Sequence, residues 1–155
     1  MKRIKIFSMG ALLTGLLLTG IPGELRAQKY LHTGGIRAGY SSGISYKGYH
    51  LYRESALEAD ILYNRHGFNL ALLLQGYFEL NRNGRFMAYA GGGAFGGDWD
   101  SDISVGIATL AGLEYHLRDL PLNLGLDWKP MLNIWRVTAA DFLDFGVSVR
   151  YRFGR

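Results

Sequence analysis

The sequence predicts an all-β fold, an eight-stranded antiparallel up-and-down transmembrane β-barrel. Three observations predict it: eight segments alternate apolar and polar residues with a period of two, turn-forming residues separate these segments, and aromatic residues gather near the segment ends. Eight consecutive hairpin-connected strands favour a closed barrel, because closure removes the exposed edges of the sheet.

The first 27 residues predict a secretory signal peptide. A basic start at Lys2 and Arg3 precedes a mostly apolar, uncharged run over 6–21, which Pro22 ends. The run is shorter than the roughly 20 residues that a membrane-spanning helix needs. We place cleavage after residue 27, so that 28–155 forms one barrel domain. The chain has no cysteine, which excludes a disulfide framework and a lipid-modified cysteine.

Removal of this leader removes most of the net positive charge. The whole chain has 17 Lys and Arg residues against 13 Asp and Glu residues, a net charge of +4. The leader holds Lys2, Arg3, Lys5 and Arg26 against Glu24, so 13 basic and 12 acidic residues remain, a net charge of +1. We therefore expect no nucleic-acid partner, because a basic excess that would attract nucleic acid is missing.

The eight predicted strands follow one another along the chain. They cover 35–40, 44–49, 57–64, 68–80, 85–96, 103–117, 122–130 and 141–153. In the fourth, Leu70, Leu72 and Leu74 share one face with Phe68, Phe78 and Leu80, and the other face carries Asn69, Gln75 and Glu79. Glycines in the fifth hide which of its faces is apolar. The segments 97–102 and 131–140 are predicted to be loops, and no segment has the period of an amphipathic helix.

Alternation alone leaves two kinds of barrel open. A soluble ligand-binding barrel has apolar residues inside, whereas a membrane barrel has them outside. Aromatic residues at the strand ends favour the membrane barrel, because Trp and Tyr gather at membrane interfaces. If odd-numbered strands run outward, the outer rim holds Tyr40, Tyr46, Tyr63, Phe68, Trp99, Trp128 and Phe142, and the periplasmic rim holds Phe78, Phe86, Tyr115, Tyr151 and Phe153.

That facing predicts a polar lumen with charges of both signs. We expect an outer layer of Arg37, Lys47, Asp127, Lys129 and Asp144, a periplasmic layer of Glu58, Glu79, Glu114, His116, Arg150 and Arg152, and Asp60 between the two layers. Eight strands leave a lumen just wide enough for side chains to fill, which favours a packed ionic network. A narrow channel through these charges is the alternative.

Metal and catalytic sites have weaker support. Asp98, Asp100 and Asp102 alternate as calcium ligands can, but Ile103 and Thr109 stand where an EF-hand requires Gly and Glu, which favours a solvated acidic loop.

A Ser/His/Asp set for acyl transfer is also conceivable near one rim. It would use His66 and Asp98 with Ser41, Ser42 or Ser101. No nucleophile motif is present, so we predict no catalytic, metal-binding or cofactor-binding residue and no enzymatic activity.

The last strand resembles a known signal. "VSVRYRF" alternates apolar residues and ends in Phe153, with Gly154 and Arg155 following. It resembles the assembly signal of bacterial outer-membrane β-barrels, carried here by Val147, Val149, Tyr151 and Phe153. The segments "GIRAGYSSGISYKGY", "ALEADIL", "YAGGGA", "AGLEYHL" and "LPLNLGLDWKP" are likewise similar to the small outer-membrane β-barrel domain family of OmpA- or OmpX-like architecture.

The resemblance implies a location in the outer membrane of a Gram-negative bacterium. It implies contact with outer-membrane lipid and lipopolysaccharide, and insertion by the barrel assembly machinery. We expect a structural or partner-binding protein whose protein partner the sequence does not identify. The alternatives are a narrow porin-like channel and a lipid A-modifying acyltransferase.

Overall fold

A computed structural model describes residues 32–49, 54–135 and 138–154. Ten antiparallel β-strands make up this part of the chain. They are β1 (His32–Gly39), β2 (Ser42–Tyr49), β3 (Ser55–Asn64), β4 (Gly67–Glu79), β5 (Phe86–Trp99), β6 (Asp102–His116), β7 (Leu122–Trp128), β8 (Met131–Asn133), β9 (Ala139–Asp141) and β10 (Phe145–Phe153). The predicted signal peptide, 1–27, lies outside the described residues.

The predicted barrel is confirmed. Eight strands close in the order β5-β4-β3-β2-β1-β10-β7-β6, with β5 paired to β6, and β8 and β9 are two further short strands on the β6 side. In the described residues no helix is long and apolar enough to cross a membrane.

The strands are staggered around the barrel. One path of paired residues runs through Glu114, Gly125, Ser148, Arg37, Gly43, Leu62, Asn69, Gly97 and Ser104. It begins and ends on β6 and returns ten residues from its start (114 − 104). A stagger of this kind requires strands that tilt strongly from the barrel axis.

Two segments that we predicted to be loops contribute strands. β5 continues to Trp99, and Asp100 and Ser101 turn the chain with φ of 52° and 74°. Both central residues of a type I′ hairpin turn need positive φ, so such a turn usually contains Asn-Gly or Asp-Gly. Asp-Ser stands here instead, which made the turn hard to recognise from the sequence. The second segment, 131–140, contains β8 and the start of β9.

The interruption between β7 and β8 leaves the wall hydrogen-bonded. The amide of Thr109 donates to the Pro130 carbonyl at 3.0 Å, and the amide of Lys129 donates to the Asp144 carbonyl at 2.8 Å. Pro130 therefore ends β7 without opening a gap in the sheet at this point.

The outer surface of the barrel is apolar, and its interior contains the buried charged and polar residues together with an apolar cluster that includes Leu62, Leu73, Phe95, Leu110 and Met131. Along β4, Leu70, Leu72 and Leu74 are about 60% exposed (61%, 60% and 61%), while the alternate residue Gln75 is buried. On β10 the outward residues are Phe145, Val147, Val149, Tyr151 and Phe153, at 41–56% exposure. This facing is the reverse of a soluble globular domain, in which the apolar side chains fill the interior.

Two of the predicted rim aromatics lie elsewhere. We call the end with the turns 40–41, 65–66 and 100–101 the short-turn end, and the end with the turns 80–85 and 117–121 the long-turn end. Tyr46 was predicted beside the short turns, but its ring lies 5.8 Å from that of His32 and 6.1 Å from that of Phe153, at the long-turn end. Trp99 points inward and is 7% exposed.

Candidate functional site

The lumen contains two groups of buried charges. The first surrounds Arg37 on β1, whose guanidinium contacts Asp127 at 2.7 Å and Asp144 at 2.9 Å. The side chains of all three are 0–1% exposed. Arg37 also donates to the Ser41 carbonyl at 2.5 Å, and the Ser41 amide donates to Asp144 at 3.1 Å. This group thus ties β1 and its turn to β7 and to the start of β10.

A glycine makes room for this arginine. A Cβ built on Gly146 would lie 2.6 Å from Cζ of Arg37, so only glycine leaves space for the guanidinium between the two carboxylates. The register explains the proximity, because Gly146 pairs with Gly39, two residues after Arg37 on the same inward face.

The second group, which we call the central cluster, consists of Lys47, Glu58, Asp60, Glu114, Lys129 and Arg150. Glu58 lies at its centre, 3.1 Å from Arg150, 3.5 Å from Lys47 and 3.7 Å from Lys129. All four of these side chains are 0% exposed. Three cations and three carboxylates meet here, so the buried charges balance within the cluster.

The other two carboxylates complete the cluster. Glu114 lies 3.6 Å from Lys47 and 3.8 Å from Arg150. Asp60 forms a close ion pair with Lys129. Because Glu58 also pairs with Lys129, the ion pairs run continuously from β3 through β7 and β10 to β6.

Neutral polar residues surround the cluster. Arg150 donates to the hydroxyls of Ser45 at 2.9 Å and Ser148 at 2.5 Å. Lys47 donates to the Tyr77 hydroxyl at 2.9 Å, and its ammonium lies 4.1 Å from the centre of the Tyr89 ring. These contacts supply the hydrogen bonds and the cation–π interaction that buried cations require.

The predicted layers are wrong for Lys47. We placed it with Arg37 in the outer layer, but the β2–β3 register pairs Lys47 with Glu58, and it joins the central cluster. Lys129 likewise contacts Glu58 and Asp60, although we placed it with Arg37. Counting residues from each turn failed because the barrel is staggered by ten residues, so equal counts on different strands correspond to different heights.

Three predicted lumen residues lie toward the long-turn end. Glu79 is partly exposed at the end of β4, beside Gly84. Arg152 is partly exposed and donates to the carbonyls of Leu117 at 2.7 Å and Leu120 at 2.6 Å. His116 is buried and lies 2.9 Å from Glu114, which connects it to the central cluster.

Sequence reasoning missed the contribution of β5. Its inward face carries Met87, Tyr89, Phe95 and Trp99, separated by glycines. Tyr89 packs over Gly112 of β6, where a Cβ would lie 2.5 Å from Cζ of the ring. Met87 and Tyr89 are two residues apart and therefore share one face of the strand, which was a usable signal in the sequence. Gly91–Gly93 follows and has no side chains that would continue this pattern.

The residues considered for acyl transfer form only part of a catalytic set. His66 Nδ1 lies 2.9 Å from Asp100, but its Nε2 accepts a hydrogen bond from Arg65 at 3.1 Å. Ser41 is fully buried, and its hydroxyl accepts from Asn64 at 3.2 Å. Within 32–49, 54–135 and 138–154, no three His, Asp or Glu residues are grouped as a metal site would need.

Comparison with known proteins gives no relative for this chain. No protein-family model, curated protein or solved structure matches it.

Proposed function

We propose that this chain is an integral outer-membrane β-barrel of a Gram-negative bacterium, with a structural or partner-binding role and no enzymatic activity. The observation that carries the proposal is the facing of the barrel: leucine, isoleucine, valine and aromatic side chains outside, and a closed network of ion pairs inside. Large exposed apolar surfaces mark sites of contact with a membrane or another protein, so this outer surface supports a membrane surrounding.

The strand lengths support the same proposal. β3, β4, β5 and β6 have 10, 13, 14 and 15 residues. A tilted strand of about 9–11 residues crosses the hydrocarbon core of a bilayer. Each of the eight barrel strands pairs with a neighbour on both sides, which suits a hydrocarbon surrounding.

The proposed partners follow from this location. Outer-membrane lipid and lipopolysaccharide would contact the outward side chains, and the barrel assembly machinery would recognise the last strand through Val147, Val149, Tyr151 and Phe153. These four residues point outward on β10, exposed by 41–56%, as a recognised face must. The resemblance to small outer-membrane barrels supports the proposal, and any protein partner is still to be identified.

The charge network argues against an open channel. Ion pairs join β2, β3, β6, β7 and β10 across the interior, and the charged side chains in them are fully buried. An ion could pass only if several of these pairs separated, and separating buried charges is costly. The lumen is therefore proposed to be closed.

Reconstitution in lipid vesicles tests location and closure together. Refolded protein should float with the vesicles and stay with them after an alkaline carbonate wash, while the efflux of trapped potassium should match that of protein-free vesicles. Protein that remains in the soluble fraction would contradict the membrane location. Rapid efflux from vesicles containing the folded protein would instead support the narrow channel.

A further inference from the structure

His66 connects two hairpins at the short-turn end of the barrel. Its carbonyl accepts from the amide of Asp100 at 2.9 Å, and its Nδ1 lies 2.9 Å from the Asp100 carboxylate. Its ring stacks on Trp99 at 4.3 Å with an interplanar angle of 10°. The β3–β4 turn is therefore held against the β5–β6 turn by contacts of three kinds.

The other ring nitrogen of His66 faces two groups of opposite charge. Nε2 accepts a hydrogen bond from Nε of Arg65 at 3.1 Å and lies 4.0 Å from Oδ2 of Asp141 on β9. A nitrogen that accepts from Arg65 carries no proton, so Nδ1 holds the ring proton and donates it to Asp100. Protonated Nε2 can only donate, and Asp141 is the acceptor within reach. The two contacts exclude each other.

We infer that His66 is a pH-operated clasp that exchanges Arg65 for Asp141 when it is protonated, and so draws β9 toward the β3–β4 turn. At alkaline pH the neutral ring accepts from Arg65, and β9 is held by its pairing with β8. At acidic pH the imidazolium repels Arg65 and donates to Asp141. The contact between β9 and the β3–β4 turn is then charge-assisted and stronger.

The wall of the barrel allows β9 to respond. The β1–β2 hairpin is short at the short-turn end. There Gly39 is the last residue of β1 that pairs with β10, and Ser42 is the first residue of β2 that pairs with β3. In the part of the chain that the structure describes, β9 pairs with β8 alone. β9 is weakly attached, because its three residues are paired along one edge. One added ion pair should therefore measurably increase the protection of its amides from hydrogen exchange.

The other titratable groups around the clasp are Tyr40, Arg65, Asp98 and Asp100. Burial and the carboxylate of Asp141 raise the pKa of the Tyr40 hydroxyl to about 12, so it stays protonated. The Arg65 guanidinium lies 5.6 Å from the centre of the Tyr40 ring. Asp98 packs against Gly67, and Asp100 already bonds Nδ1, so neither carboxylate competes for Nε2.

The test follows the side-chain nitrogens and the β9 amides of the full chain in detergent micelles by NMR at pH 8 and pH 5, and reads the protonation of His66 directly from its ring nitrogens. At pH 5, Nε2 of His66 should carry a proton and the Arg65 Nε–H should lose its hydrogen bond. The β9 amides should gain several-fold protection from exchange after correction for intrinsic rates.

Asp141→Asn is the deciding variant. It should keep the His66–Asp100 bond and the Trp99 stack while removing the gain in β9 protection, and His66→Asn should remove any pH dependence of β9. Near-ultraviolet circular dichroism shows whether either variant keeps the packing of Trp99. An unchanged gain in the Asp141→Asn protein would overturn the clasp, as would an Arg65 signal that does not respond when His66 is protonated.

Discussion

Replacing Glu58 by glutamine should lower the free energy of unfolding by about 3–5 kcal/mol, the cost of breaking a buried ion pair from one side. Glu58 contacts Lys47, Lys129 and Arg150, and its removal leaves three buried cations with two carboxylates. Urea unfolding in lipid vesicles, followed by tryptophan fluorescence, measures the change.

A matched control and a second variant separate the effect of the lost ion pairs on stability from the effect of the Glu-to-Gln change itself. Glu79→Gln makes the same change at a partly exposed position on β4 and should alter stability by no more than about 0.5 kcal/mol. Adding Arg150→Met to Glu58→Gln should cost less than the two changes separately, because an unpartnered cation is removed. Equal, small effects of Glu58→Gln and Glu79→Gln would mean that the lumen is hydrated and its charges are screened.

Arginine at Leu72 should destabilise the folded barrel by about 2–4 kcal/mol, the cost of placing a cation at the middle of the bilayer. Leu72 is 60% exposed on the outward face and pairs with Ala59 of β3 and Ala94 of β5. It lies midway along β4, so its side chain should face acyl chains far from either headgroup layer.

The control position for Leu72 lies just after the end of the same strand, β4. Leu80, 51% exposed just after β4, should accept arginine at a cost of about 0–1 kcal/mol, because a long cationic side chain near an interface reaches water. The same unfolding assay in vesicles compares the two variants. Equal tolerance of arginine at Leu72 and Leu80 would contradict a membrane surrounding for the outward face.

Alternation was enough to divide the side chains of each strand between two faces, because the period of a strand is two whatever its height in the barrel. The aromatic residues at the strand ends then indicated which face lies outside. Together these signals assigned Leu72 and Val147 to the outside and Glu58 and Arg150 to the inside, where the structure has them. They could not assign heights. Tyr46 lies at the opposite end from the one expected, and Lys47 lies in the central cluster and not beside Arg37, since the stagger of the strands is a property of the closed sheet and not of any one segment.

Other features depended on contacts between distant segments. The Asp100–Ser101 turn lacks the glycine that marks most turns of its type, so β5 was predicted to end at residue 96 and not at Trp99. The contact of His66 with Asp141 joins residues 75 positions apart (141 − 66), on a turn and on β9, whose proximity follows only from the completed barrel. The sequence offered His66 as a candidate but not its contact with Asp141.

Tryptophan quenching by brominated lipids tests the membrane account most directly. Trp128 points outward at 39% exposure and Trp99 inward at 7%, so proteins in which one of them is the sole tryptophan, with Trp135 also replaced, report the two sides of the wall. In vesicles with brominated acyl chains, the fluorescence of Trp128 should be strongly quenched and that of Trp99 much less. Quenching of Trp128 by aqueous iodide, with none by the brominated chains, would contradict the proposal that the apolar face of this barrel lies in a membrane.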